Sequence, residues 1–258
     1  ESLKSDVSQR IKVNSDLVPW GLFYNLNYYN LIFNPKLQRV FENVENLNFL
    51  KVFWGIILLF AIITKFFRYY KIDLTMGFAI FTTGFGAMLA TLIVSFVFQL
   101  HHGYLYYQVS ILLTTFIIGS AIGAYISNFI QSTKIRNVLL NETIIITFFC
   151  FVLVTLLFFS NSKIFNNLLV FYIILLVGGF LMGAEFPLAN KLDMRESSES
   201  NERVRKILGK LYAFDLLGGF LGALLGATAL LPTIGVINTI IVVILLKVVS
   251  IFLILTKK

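Results

Sequence analysis

Two carboxylates, Glu185 and Asp215, lie inside long apolar stretches, and with Tyr212 they are the side chains best placed for cation chemistry. Glu185 belongs to Gly183-Ala184-Glu185-Phe186-Pro187-Leu188-Ala189-Asn190, at the close of an apolar run. A carboxylate there costs free energy unless a positive group or water meets it. If its helix enters near Asn167, Glu185 lies about 27 Å along it at about 1.5 Å per residue. Pro187 removes a backbone donor from that helix and is expected to end it. Asp215 sits early in the next run, about 9 Å from the same edge by the same rise. The two acids therefore come at similar depth on helices joined by one loop. Asp215 shares a helical face with Gly218, Gly219, Gly222 and Gly226, and Tyr212 precedes it by one turn on that face. The arrangement fits an amine or another cation held between two carboxylates. Ion pairs with Lys191, Lys210 or a backbone amine account for the same acids, and the residues leave both readings open.

The only histidines, His101 and His102, fall in Phe98-Gln99-Leu100-His101-His102-Gly103-Tyr104-Leu105-Tyr106-Tyr107, between two apolar runs. Tyrosines at such a boundary form an aromatic belt with no further role. A metal or haem site would need a third ligand, which the sequence does not offer, so the pair is a weak metal candidate. Gly84-Phe85-Gly86 lies within an apolar run with no strand before it, which excludes a dinucleotide loop. Neither a Walker sequence nor a Ser/His/Asp or Cys/His constellation in a polar setting is present. No catalytic residue and no cofactor site is expected in this chain.

The elements that must position these acids follow from composition. Of 258 residues 58% are hydrophobic and 27 are phenylalanine, more apolar surface than one soluble core of this size can hide. The expected class is an all-α integral membrane protein. Residues 1–48 form a polar and aromatic segment broken by Pro19 and Pro35, and 49–258 a multi-span helical domain. Seven apolar runs follow the first segment, roughly 49–67, 75–100, 107–131, 142–160, 167–189, 209–232 and 235–255. The first is short between Lys51 and Lys65, which can snorkel to opposite interfaces. A bundle of about seven transmembrane helices is expected. Cys150 is the one cysteine and lies in an apolar run, so no disulfide framework is expected.

The net charge of +8 is not a nucleic-acid signal, because the bases cluster between the runs. Stretches 65–71, 132–141 and 190–208, with Lys210 and the C-terminus, put thirteen bases on one side, against Lys51 and Lys163 on the other. That side is expected to be cytoplasmic and the membrane an inner, cytoplasmic membrane. Seven spans then place residues 1–48 outside, whereas a first run lying along the interface places them inside. The polar start at Glu1 reads as a cut through a longer protein. The stretch 193–203 reads as a solvated connector.

Gly218, Gly222 and Gly226 repeat every four residues, with Gly219, Ala223 and Ala227 one step behind. Gly119 with Gly123, and Gly179 with Gly183, repeat the pattern in two other runs. Such ridges let helix backbones approach closely. They serve a packed bundle, a glycine-lined substrate path, or an interface in a homo-oligomer or larger membrane complex. A transporter-like, cation-conducting bundle is an alternative, although transporters usually hold their ions nearer the midplane than these acids lie.

Several stretches in one order resemble the membrane-embedded, spermidine-synthase-like proteins, in which an aminopropyltransferase-like domain is fused to multi-span helices. They are Thr83-Gly84-Phe85-Gly86-Ala87-Met88, Phe98-Gln99 with Gly103-Tyr104-Leu105-Tyr106, and Gly119-Ser120-Ala121-Ile122-Gly123-Ala124. Gly183-Ala184-Glu185-Phe186-Pro187-Leu188-Ala189 and Gly209-Lys210-Leu211-Tyr212-Ala213-Phe214-Asp215-Leu216-Leu217-Gly218 follow, and Pro232 is expected to close that last helix. Upstream, Val13-Asn14-Ser15-Asp16-Leu17-Val18-Pro19 and Phe23-Tyr24-Asn25 resemble the tail of the synthase-like domain. The family often carries a glutamate where this chain has Thr91. The resemblance implies that residues 1–48 are the end of a synthase-like α/β domain, whose cofactor loop and acids would lie before Glu1. It implies aminopropyl transfer from decarboxylated S-adenosylmethionine to a diamine in that missing part. This chain would then anchor it in the lipid bilayer and hold a polyamine-like cation near Glu185 and Asp215. The donor is cytosolic, however, whereas seven spans would put the attached domain outside.

Overall fold

A computed structural model describes residues 14–15, 18–33, 49–55, 58, 75–103, 106–130, 134–159, 165, 167–196 and 201–256. Among the described residues seven α-helices have both ends defined: α1 (Trp20–Phe33), α2 (Thr75–His102), α3 (Tyr106–Asn128), α4 (Ile135–Phe159), α5 (Leu168–Glu196), α6 (Asn201–Leu225) and α7 (Gly235–Thr256). A π-helical segment, Gly226–Ile234, joins the last two. Among the described residues five apolar helical stretches are long enough to cross a bilayer, the fifth being Ile207–Thr256. That stretch contains two helices of opposite direction, because the chain turns at Gly235, whose φ of 83° suits glycine. Only 49–55 and 58 of the expected first span are described, all helical, and the rest of it lies outside the described residues. Of residues 1–48, the described part is α1 with the bridge between Ser15 and Val18 before it.

Directions follow from which residues meet. Gly218 and Gly222 of α6 lie on the carbonyls of Phe81 and Phe85 of α2, in the same order, so these helices run parallel. Gly119 and Gly123 of α3 meet Leu176 and Phe180 of α5 in the same way. Thr83 and Gly86 of α2 meet Lys247 and Val243 of α7 in reverse order, as do Asn141 and Phe148 of α4 with Glu185 and Gly178 of α5. From α2 to α7 each helix therefore runs opposite to the one before it. The glycine ridges are the two tightest crossings, α2 with α6 and α3 with α5. A Cβ on Gly222 would come within 2.6 Å of the Phe85 carbonyl oxygen, and one on Gly183 within 2.6 Å of Ser120 Cα.

Several helix ends differ from the apolar runs. α5 continues through Pro187 to Glu196, and α4 and α6 begin at Ile135 and Asn201, well before their apolar runs. Hydropathy misses polar end turns, although their backbones still gain helical hydrogen bonds. A proline is tolerated in a packed membrane helix because neighbours hold the segment around it. Pro232 does not close an α-helix; it lies within the π segment, where its missing N–H suits a break in the ladder. Most of the expected 193–203 connector is likewise helical, leaving 197–200 outside the described residues.

Buried apolar side chains form two layers. The larger, around Phe98, Phe149, Phe171 and Val243, fills the bundle from its middle to the end bearing the π segment. The smaller joins Met76, Ile80, Val138, Leu188, Leu211 and Ile254 at the opposite end, where α2, α4 and α6 start. Outward-facing Phe158, Ile117 and Phe220 are exposed, as a lipid-facing surface requires. α1 buries Trp20 and Phe23 and packs against the π segment. It thus lies at the far end of the bundle from the starts of α4 and α6.

Candidate functional site

Between the two apolar layers sits a polar cluster with no exposed atom on its charged groups. Lys247 of α7 places its Nζ 2.9 Å from Glu142 Oε2 and 3.5 Å from Glu185 Oε2, and all three side chains are fully buried. The ammonium also donates to Thr83 Oγ1 of α2 at 2.5 Å. Ser250, one turn beyond Lys247, donates to Glu142 Oε1 at 2.7 Å. Asn141 Nδ2 donates to Glu185 Oε2 at 3.1 Å and to the Leu181 carbonyl at 3.2 Å. Four helices thus supply one cluster: α2, α4, α5 and α7. From the helix starts, Thr83 and Glu142 lie about 12 and 10 Å into the bundle at about 1.5 Å per residue.

Charges in such a place persist only if paired and hydrogen-bonded. Lys247 supplies the pairing, and Thr83, Ser250 and Asn141 supply bonds. Glu185 is therefore already partnered within its own fold. Lys191, a candidate partner on sequence grounds, instead reaches carbonyls at and just past the end of α3: Ser127 at 3.4 Å, Asn128, and Ile130 at 3.1 Å. A cation at a helix C-terminus is favourable, and this clasp ties α3 to α5.

Asp215 has different neighbours. It lies against α2 at Gly84, where a Cβ would come within 2.7 Å of Asp215 Oδ1, so only glycine leaves room for it. It lines a groove of about 470 Å³ between α2, α3, α5 and α6, together with Thr83, Met88, Phe116, Pro187 and Phe220. Among the described residues Asp215 makes no ion pair and no side-chain hydrogen bond. The structure brings Glu185 to Lys247 and Asp215 to the groove, so the two acids do not share one cation between them. Thr83 belongs to both places, since it also lines the groove. Tyr212 is exposed and stands apart from both.

His101 and His102 end α2 in an aromatic cluster. His102 stacks on Phe98 with centroids 4.9 Å apart, and His101 lies 5.2 Å from Phe165. His101 Nδ1 is 2.9 Å from the Val97 carbonyl oxygen. Gly103, at φ 77°, caps the helix by donating to Gln99 O. Among the described residues no group of three His, Cys, Asp or Glu side chains is arranged to hold a metal ion.

Sequence reasoning passed over Glu142 and Lys247. Glu142 looked like the boundary of an apolar run, and Lys247 was lost inside one. A usable signal existed: a lysine in the middle of a span must have a carboxylate partner. Which partner it takes is set by packing across more than a hundred residues of chain. The chain matches no family model, no curated protein and no solved structure.

Proposed function

We propose that this chain is the multi-pass membrane part of a spermidine-synthase-like protein, and that its lateral groove binds an amine-bearing, polyamine-like cation against Asp215. The carrying observation is Asp215 itself, a carboxylate on an apolar groove wall without a partner among the described residues. An ammonium on an aliphatic chain meets both needs of such a groove. Its charge pairs with the carboxylate while its methylenes lie on Met88, Phe116 and Phe220. The base-rich stretches favour a cytoplasmic face at the starts of α2, α4 and α6 in an inner membrane. With α1 at the opposite end, an attached domain fits the outer side, where decarboxylated S-adenosylmethionine is absent. Anchoring and cation binding are therefore better supported than aminopropyl transfer.

Spermidine binding to the purified full chain in lipid nanodiscs tests the reading. Saturable binding is expected, weakened about tenfold by Asp215→Asn, the loss of one charge-assisted hydrogen bond. Equal affinity of the two proteins, or no binding to either, overturns it. A transporter-like bundle is the second reading, because the same groove would also serve a cation in passage. Cation flux into proteoliposomes separates that reading from simple binding.

A further inference from the structure

We propose that Glu142, Glu185 and Lys247 form a binding site for one exchangeable proton. The inference does not depend on what the groove binds. Two carboxylates and one ammonium, all fully buried, leave one negative charge uncompensated. Among the described residues Lys247 is the only base paired with either acid. α2 and α3 contain no Lys, Arg, Asp or Glu, and Lys247 is the only charged residue of α7. On α4, Arg136 is exposed. On α5, Lys191 is bonded to the end of α3. On α6, Arg203, Arg205, Lys206 and Lys210 all lie in the polar turns before Leu211, and Asp215 lies on the groove and is itself an acid.

The hydrogen bonding points the same way. Glu185 Oε1 is buried and has no hydrogen-bond partner, and Glu142 Oε2 has only its ion pair with Lys247. A carboxyl group, unlike a carboxylate, can donate. One proton on either acid removes the excess charge and turns a buried acceptor without a donor into a donor. A metal ion fits poorly, because a hard cation needs a shell of about six oxygens. Here Lys247 already takes one oxygen from each acid and the hydroxyl of Thr83.

The cluster also has polar contacts leading outward on two sides. Asn141, bonded to Glu185, lines a second cavity of about 340 Å³ between α3, α4 and α5 with Ser127 and Asn137. Thr83, bonded to Lys247, lines the groove. Loading is simple in atoms and charge. A hydronium ion gives its proton to a carboxylate oxygen and leaves water, and unloading reverses the step with no electron transferred.

Infrared spectra of the full chain in nanodiscs at neutral pH test the site. The wild type is expected to show the C=O band of a protonated carboxyl group that shifts in D2O. Glu142→Gln and Glu185→Gln should each abolish it, since the remaining carboxylate then balances Lys247 as an ion pair. Asp215→Asn should leave it in place. Absence of the band from the wild type overturns the proposal whether or not any variant folds. So does a band that survives both glutamine replacements or disappears with Asp215→Asn.

Discussion

At one flank of α2, Glu142 and Glu185 close on Lys247; at the other, Asp215 lies on a groove wall beside Gly84. Both places put carboxylates among apolar helices at similar depth. The first compensates one of its two acids with a side chain of the same protein and encloses both between apolar layers. The second leaves its acid half-buried and open to the side. Enclosed acids must be neutralised by the fold or by a proton, since Lys247 already occupies the oxygens a larger cation would need. A charge on an open wall can be neutralised by something that arrives. The difference separates a cluster with room only for a proton from an acid open to a larger cation.

The most direct way to break this contrast is Lys247→Met. It removes the one ammonium beside the two acids, and the expected loss of stability is about 3–5 kcal/mol. Thermal unfolding in detergent measures it, and adding Glu142→Gln and Glu185→Gln should recover most of the loss. If Lys247→Met is as stable as the wild type, the cluster is not a paired interior. Overpacking a crossing comes next. Gly183→Leu against α3 and Gly218→Leu against α2 should each cost about 1–3 kcal/mol by the same assay, with Gly218→Leu also disturbing spermidine binding at the groove.

Asp215→Asn should move stability by no more than about 0.5–1 kcal/mol, because its carboxylate holds no partner in place. A larger fall would make Asp215 a structural acid like the other two. The smallest effect is expected from Gly209→Ala in α6, where a Cβ would meet nothing within 4 Å. It should raise stability by about 0.5–1 kcal/mol, as alanine fixes a helix more readily than glycine. A loss there would mean that this helix start has a neighbour.

Much of the architecture was legible because lipid imposes a simple rule on sequence. The runs 75–100 and 235–255 coincide closely with α2 and α7. The glycine repeats marked the two crossings, since close backbones need residues without side chains. Helix ends were less legible. Pro187 reads as a stop from local chemistry, but α5 is held past it by packing and by Lys191 on α3. The candidate site was half legible. Glu185 and Asp215 stood out as acids in apolar sequence, but direction was hidden. Their side chains face different neighbours, and only the arrangement of α2, α4 and α7 around α5 decides that.

The Met76–Ile254 layer has a consequence for time rather than energy. Water has no polar foothold between those side chains, so hydrogen trapped beneath them trades with bulk solvent only when the helices part or by way of the cavities at Asn141 and Thr83. The pace of deuterium uptake at the acids would then report how often that end of the bundle breathes, with the intrinsic chemistry of a carboxyl group far too fast to be noticed.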